Sequence, residues 1–219
     1  MKKLNMLAVS AVAAGLLISA NTFAGEAKPV NITKGLMEVT VTHDGKKTAI
    51  KRNQDNENTV KKAFAKTSRP CPPFCIQPQV LAPGVETIAE LEMLDYLKKK
   101  ESDDSIVVID SRTPGWVKKG TIPGSINLPW TALNPAKGAS PIEIIDIMEE
   151  TFGVVENEGL LDFSKAKTLV FFCNGMWCGQ SPNNIKNLLK FGYPADKMKW
   201  YRGGMQDWEV LGLSTVKGG

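Results

Sequence analysis

The segment TLVFFCNGMWCGQSP, residues 168–182, constrains the fold more than any other part of the chain. Residues 168–172 are strand-forming and mostly apolar, and they lead directly into Cys173. Cys178 follows in the same short loop, and Ser181 and Pro182 then predict a helix start, with Ser181 as N-cap and Pro182 at the first helical position. A buried strand, a tight loop and a helix in succession indicate an α/β unit that carries two thiols between strand and helix.

Other segments of the second half alternate between strand and helix patterns in the same way. Further strands are expected near residues 105–110, 125–127 and 198–201, and helices near residues 87–99, 142–152 and 181–191, with a last helix starting at GGMQDWEVLG. The first of these helices is expected to begin at a capping box that runs from Thr87 to Glu90. The alternation predicts an α/β fold with a mainly parallel sheet flanked by helices.

The residues before this region have a different character. Residues 37–52 alternate between apolar and polar on both sides of Asp44-Gly45, which predicts a β-hairpin. Residues 68–78, SRPCPPFCIQP, contain four prolines and therefore form neither a helix nor a central strand. We expect a small hairpin extension and a proline-rich cysteine loop at residues 25–83, followed by the main domain at residues 84–219.

The N-terminus is typical of a secretory signal peptide. A basic start at residues 1–3 precedes an apolar run at residues 6–19, and Ala24 is suited to the position before a cleavage site. The apolar run is shorter than the roughly 20 residues of a membrane-spanning helix, which disfavours the alternative of an uncleaved anchor. We therefore expect residues 1–24 to be removed, and the mature protein to be periplasmic without a stable membrane anchor.

The charge of the chain is too mild to indicate a nucleic-acid partner. The formal net charge is +4, and removing Lys2 and Lys3 with the signal peptide lowers it to +2. The remaining lysines are scattered along the sequence, which is typical of an ordinary solvated surface.

All four cysteines lie in the mature part of the chain. An even number of cysteines in an oxidising compartment favours disulfides. Cys71 and Cys75 are expected either to form a local disulfide or to relay sulfur or electrons to Cys173. A zinc site with four thiolate ligands is a further alternative, although the cysteine spacing is unusual for zinc. Haem of the c type is excluded, because there is no C-x-x-C-H motif and His43 is the only histidine.

Cys173 is the candidate nucleophile. A thiolate is the reactive form of cysteine, and consecutive backbone N–H groups together with a helix N-terminus stabilise a negative charge. His43 lies in the predicted hairpin and is not available as a base next to the loop. The loop itself must therefore activate the thiol, which disfavours a papain-like mechanism.

Four separated segments resemble those of the rhodanese-like sulfurtransferase family: VVIDSRTPGWVKKGTIPGSINLP, LVFFC, LLKFGYP and WYRGGMQDWEVLGL. The resemblance covers residues 85–216 and implies a rhodanese-like fold without a metal or organic cofactor. It implies that Cys173 takes sulfane sulfur from thiosulfate, a polysulfide or a persulfide and passes it to a thiol or cyanide. The substrate would be a small sulfur compound, and a protein thiol is a further acceptor.

The same resemblance assigns roles to individual residues of the loop and of the D-x-R segment. Asp110 and Arg112 match D-x-R, where Asp110 is expected to brace the sheet end and Arg112 either to brace it or to attract an anionic donor. Trp177 would cover the sulfur or pack against the domain. The anion-binding loop would consist of Asn174, Gly175, Met176, Trp177 and Gly179.

Cys178 stands where related loops carry an arginine or a serine. It could resolve the intermediate on Cys173, act with Cys173 as a redox pair, form a structural bridge, or be a spectator. The leading alternative function is therefore a periplasmic thiol-disulfide oxidoreductase, and a non-catalytic binding module is another. A phosphatase-like use of the loop ranks last, because the arginine it needs at the loop end is absent.

Overall fold

The computed structural model describes residues 28–218, so the predicted signal peptide lies outside the described residues. The strands are β1 (Glu38–His43), β2 (Lys46–Lys51), β3 (Glu86–Ile88), β4 (Ile106–Asp110), β5 (Ile126–Asn127), β6 (Val155–Asn157), β7 (Leu160–Asp162), β8 (Thr168–Phe172) and β9 (Met198–Tyr201). The α-helices are α1 (Glu90–Lys99), α2 (Pro114–Val117), α3 (Pro141–Phe152), α4 (Gln180–Lys190) and α5 (Gly204–Val210). Within residues 28–218, a helix with the length and apolarity needed to cross a membrane is absent.

The central element is a five-stranded sheet in the order β3-β9-β8-β4-β5. Every neighbouring pair in it is parallel. Strands β4 and β8 occupy the middle and are almost entirely buried, as expected for parallel strands covered on both faces. The predicted α/β fold with a mainly parallel sheet is confirmed.

Successive residues of the central strands point to opposite faces of the sheet, so they pack into two separate hydrophobic cores. Val108 and Phe172 face one core, which also contains residues of α1, the β1–β2 hairpin and Trp208. Ile109 and Phe171 face the other core, which contains the buried sides of α3 and α4. The carboxyl ends of β4 and β8 are therefore held from both sides.

The predicted N-terminal hairpin is confirmed. Strands β1 and β2 pair antiparallel around Asp44-Gly45, and both turn residues have positive φ. Val41 and Ile50 are fully buried in the same core as Phe172, so the hairpin shares its core with the sheet. The expected boundary at residues 83–84 stays a prediction.

The expected start of the first helix is wrong. Thr87 belongs to β3, which pairs with β9, and its hydroxyl donates a hydrogen bond to the carbonyl of Gln79 at 2.5 Å. The helix begins at Glu90, and the Glu92 carboxylate accepts a hydrogen bond from the Ala89 N–H at 3.1 Å. Strand pairing therefore overrides the local capping pattern.

We predict that Val41→Ala lowers the free energy of unfolding by about 2 kcal/mol, because it removes buried methyl groups and leaves a cavity. Val155→Ala is the matched control, since Val155 is 47% exposed whereas Val41 is 0% exposed. Urea denaturation followed by circular dichroism measures both values. Equal effects of the two substitutions would contradict a hairpin that is part of the core.

Candidate active site

Cys173 lies directly after β8, at the middle of the carboxyl edge of the sheet, and only 2% of it is exposed. The start of α5 holds the chain at Cys173 and at the residue after it. The N–H of Met205 donates to the carbonyl of Cys173, and the N–H of Gln206 donates to that of Asn174, both at 2.9 Å. A Cβ atom on Gly204 would collide with the Cys173 carbonyl, which explains the glycine there.

Hydrogen bonds make the Cys173 thiol acidic despite its burial. Burial by itself raises its pKa, but the Cys178 thiol, the N–H and hydroxyl of Ser181 and the N–H of Gly175 stabilise the thiolate. Together these donors outweigh burial and lower the pKa of Cys173 to about 7. The lowered pKa favours the thiolate, which is the reactive form of cysteine.

Cys178 is the thiol partner of this thiolate. Its pKa is raised well above the usual value, because it forms a hydrogen bond with the Cys173 sulfur and because it is buried. Both cysteines are free in this structure, and the Cys173 sulfur lies 3.4 Å from the Cys178 carbonyl oxygen. The pair is thus a dithiol in close contact, and not the structural bridge that was one of the alternatives.

The structure divides the predicted anion-binding loop into two parts. The N–H of Gly175 approaches the Cys173 sulfur, whereas the N–H of Asn174 approaches the Cys178 sulfur. The N–H of Cys178 closes a turn onto the carbonyl of Gly175 at 2.8 Å. Gly175 has a φ of 155°, and a Cβ atom there would lie 2.9 Å from Gln206 Cβ, so a side chain would clash.

Sequence reasoning missed two residues next to the loop, Gln180 and Ser181. Helix α4 starts at Gln180 with Gly179 as N-cap, so the prediction of Ser181 as N-cap and Pro182 at the first helical position is wrong. The earlier start places the Ser181 N–H and hydroxyl against Cys173 and the Gln180 N–H against Cys178. The one sequence signal for this role was Ser181 itself, a small polar residue close to the cysteine loop and able to donate hydrogen bonds.

Arg112 braces the site and does not line it. It is 1% exposed, and its guanidinium donates to the Asp110 carboxylate at 2.6–3.1 Å and to the Gly120 carbonyl at 2.7 Å. A further contact of 3.5 Å reaches the side-chain oxygen of Asn174. Of the two roles expected for Arg112, these contacts favour bracing, because its charge is buried and paired with Asp110.

A cavity of about 440 Å³, here called the loop pocket, opens over the cysteine loop. Cys178 forms part of its wall, whereas Cys173 lies beneath and does not line it. The complete lining consists of Arg69, Pro73, Phe74, Trp116, Trp130, Asn174, Trp177, Cys178, Gly179, Gln180 and Asn183. A ligand in the loop pocket therefore meets Cys178 before Cys173.

The proline-rich cysteine loop forms one wall of this pocket. Cys71 and Cys75 are joined in a disulfide, which agrees with the local pairing and rules out a zinc site with four thiolates. The N–H of Gln77 donates to the carbonyl of Met176 at 2.8 Å, and the Phe74 ring packs edge-on against Trp177 at 5.5 Å. Trp177 thus packs against the proline-rich loop, and its expected role as a cover of the sulfur stays a prediction.

We predict that Cys178→Ala raises the pKa of Cys173 above about 7, because the variant lacks the thiol that donates to the thiolate. The ultraviolet absorbance of the thiolate, recorded against pH with Cys173→Ser as blank, measures this value. Cys178→Ser is the control, since its hydroxyl still donates a hydrogen bond. An unchanged midpoint in Cys178→Ala would show that Cys178 does not stabilise the thiolate.

Several solved structures are similar to the chain at low sequence identity. A possible tyrosine phosphatase of unknown function from Rhodopseudomonas palustris is 22% identical, with a TM-score of 0.40, over 60% of this chain and 85% of that one. A human single-domain sulfurtransferase is 20% identical, with a TM-score of 0.37, over 57% and 95%. A thiosulfate sulfurtransferase from Pseudomonas aeruginosa is 18% identical, with a TM-score of 0.40, over 62% and 21%.

These identities and TM-scores are too low to support a conclusion about activity. No curated protein matches the chain. The model of the rhodanese-like domain matches residues 93–210, which is more than half of the chain and includes the cysteine loop and the D-x-R segment. The protein therefore belongs to the rhodanese-like domain family, which supports a sulfurtransferase-type function at the level of the family.

Proposed function

We propose that the protein is a periplasmic sulfurtransferase that carries sulfane sulfur as a persulfide on Cys173. The observation that carries this proposal is the acidic thiol of Cys173, with a pKa of about 7, at the carboxyl edge of the sheet. The N–H groups of Gly175 and Ser181 that lower this pKa are also suited to stabilise a persulfide anion.

The reaction consists of two displacements at sulfur. In the first, the Cys173 thiolate attacks the sulfane sulfur of a thiosulfate, polysulfide or persulfide donor. A bond forms between the two sulfurs, and the bond between the sulfane sulfur and the rest of the donor breaks, with its electron pair leaving on the donor. In the second, a small thiol, a protein thiol or cyanide attacks the outer sulfur, and Cys173 returns as thiolate.

Cys178 has two functions in this scheme. Its thiol donates a hydrogen bond that stabilises the Cys173 thiolate. It also lies between Cys173 and the loop pocket, because it lines the pocket while Cys173 does not. A donor bound in the loop pocket therefore contacts Cys178, whereas Cys173 lies below the pocket wall.

A thiol-disulfide oxidoreductase is the second candidate function, and the contact between the two free thiols favours it. In that reaction the Cys173 thiolate attacks a substrate disulfide and releases one thiol. The Cys178 thiol then attacks the mixed disulfide, releases the second thiol and leaves a Cys173–Cys178 disulfide. Low-pKa cysteines next to a second, resolving cysteine are common in such proteins.

We predict that incubation with thiosulfate or a polysulfide adds about 32 Da, one sulfur atom, to the intact protein, because a thiolate accepts sulfane sulfur. Cys173→Ser should abolish the gain, and Cys178→Ser should retain it. Intact-mass spectrometry measures all three proteins. No adduct with either donor, together with a Cys173–Cys178 disulfide that cycles with reductant, would favour the oxidoreductase instead.

Export to the periplasm is part of the proposal. The disulfide between Cys71 and Cys75 supports it, because disulfides persist in oxidising compartments. In a Gram-negative bacterial host, we expect the protein in the periplasmic fraction, with an intact mass that corresponds to a chain starting at Gly25. A full-length chain in the cytoplasmic or membrane fraction would contradict cleavage after Ala24.

A further inference from the structure

Four aromatic side chains line the loop pocket. The rings of Phe74, Trp116, Trp130 and Trp177 all line it, and they come from separate parts of the chain. Aromatic walls bind flat apolar groups, because they offer a large contact area at a low cost in side-chain entropy. Inorganic thiosulfate is small and strongly hydrated, and it has no apolar part for these walls to contact.

Arg69 adds a single positive charge to this aromatic pocket. Among the described lining residues no other side chain is charged. The Arg69 guanidinium lies 4.0 Å from the Trp177 ring centre and 5.1 Å from that of Phe74, so two aromatic side chains hold its position. An arginine oriented in this way is well suited to bind the oxygens of an anion.

Most N–H donors of the Arg69 guanidinium have no hydrogen-bond acceptor among the described residues. Its Nε is buried and has no hydrogen-bond partner within residues 28–218, and its only hydrogen bond there is a long contact of 3.4 Å from Nη2 to the Ala63 carbonyl. This differs from Arg112, whose buried guanidinium is paired with Asp110. A buried donor without a partner is costly, so an anion in the loop pocket would satisfy Arg69.

The wall that carries Arg69 is firmly attached to the main domain. The Arg202 guanidinium donates to the Gln77 carbonyl at 2.8 Å, and the Gln206 side chain donates to the Phe64 carbonyl at 2.6 Å. The disulfide between Cys71 and Cys75 closes the loop between these anchors. These anchors hold Arg69 and Phe74 against Trp177 of the cysteine loop.

We infer that the loop pocket selects organic sulfane-sulfur anions, compounds with a flat apolar body next to the anionic sulfur group, over inorganic thiosulfate. Arg69 binds the anionic group, and the aromatic rings bind the body. The inference rests on the proposed sulfurtransferase function, because it names the donor class of that same site. Neither the family match nor the D-x-R segment assigns a role to Arg69, which lies before residues 93–210.

For an organic thiosulfonate, R–SO₂–S⁻, the transfer step balances without any further reactant. The Cys173 thiolate attacks the terminal sulfur, and a new sulfur–sulfur bond forms. The bond between the sulfonyl sulfur and the terminal sulfur breaks, and its electron pair leaves on the sulfinate, R–SO₂⁻. Two anions enter and two anions leave, so no proton moves in this step. The sulfonyl oxygens provide the acceptors that Arg69 would bind.

The kinetic test compares three donors: benzenethiosulfonate, methanethiosulfonate and thiosulfate, with cyanide as acceptor. We expect kcat/KM to be roughly tenfold or more higher for the benzene compound than for the methane compound or for thiosulfate, since burial of a ring is favourable. Arg69→Met should raise KM for benzenethiosulfonate roughly tenfold and change kcat less, because the charge binds the donor before and during transfer. Arg69→Lys, which keeps the charge but not the planar fork, should fall between these values.

Lys137→Met is the matched control for loss of a cation near the pocket. The Lys137 ammonium lies 5.6 Å from the Trp130 ring, but Lys137 is exposed and does not line the loop pocket. Its KM for benzenethiosulfonate should stay within about twofold of wild type, as expected for a screened surface charge. Circular dichroism checks that each variant is folded.

A binding measurement separates failure of this inference from failure of the proposed function. Benzenesulfonate has no sulfane sulfur to transfer, and its affinity for wild type, Arg69→Met and Lys137→Met is measured by isothermal titration calorimetry. Binding that weakens roughly tenfold in Arg69→Met alone supports the pocket assignment even if no donor is turned over. Equal kcat/KM for the two thiosulfonates, or benzenesulfonate binding that is absent or does not depend on Arg69, would overturn the inference.

Discussion

The site depends on the buried ion pair between Asp110 and Arg112. Asp110 ends β4, and its carboxylate accepts hydrogen bonds from Arg112 and from the Thr121 hydroxyl at 2.7 Å. Arg112 in turn reaches the Gly120 carbonyl and the side chain of Asn174, which follows Cys173 directly. Removing one partner of a buried pair typically costs about 3–5 kcal/mol, because the remaining charge is left without compensation. This pair therefore connects the end of one central strand to the loop that follows the other.

Cys173 illustrates a competition between burial and hydrogen bonding. A buried thiol without donors would have a raised pKa and little reactivity at neutral pH. Here the donors outweigh burial, and the strongest of them is the thiol of Cys178. A histidine base, common in cysteine enzymes, does not act next to this loop. His43 is the only histidine of the sequence, and its side chain accepts a hydrogen bond from the Gly124 N–H instead. Activation thus comes from the backbone, a serine and a second cysteine.

The segment before the family domain contributes both to the hydrophobic core and to the wall of the loop pocket. The hairpin fills part of the core behind the sheet, and the disulfide loop forms the outer wall of the loop pocket. The proposed transfer chemistry lies in the cysteine loop, whereas the charge of the pocket and part of its aromatic wall come from the disulfide loop.

The sequence by itself determined the parallel α/β fold, the hairpin and the strand that leads into Cys173. These features depend on local patterns, namely apolar runs, alternation of apolar and polar residues, and turn residues. Such patterns involve only residues that are close together in the sequence. Helix starts were predicted less well, because the pairing of Thr87 in β3 and the early start of α4 at Gln180 are set by contacts elsewhere. Only the tertiary structure decided that Arg112 braces the site, that Ser181 faces Cys173 and that Arg69 lines the pocket. The physical reason is that these roles depend on burial and on distances between residues far apart in sequence, which no local pattern records.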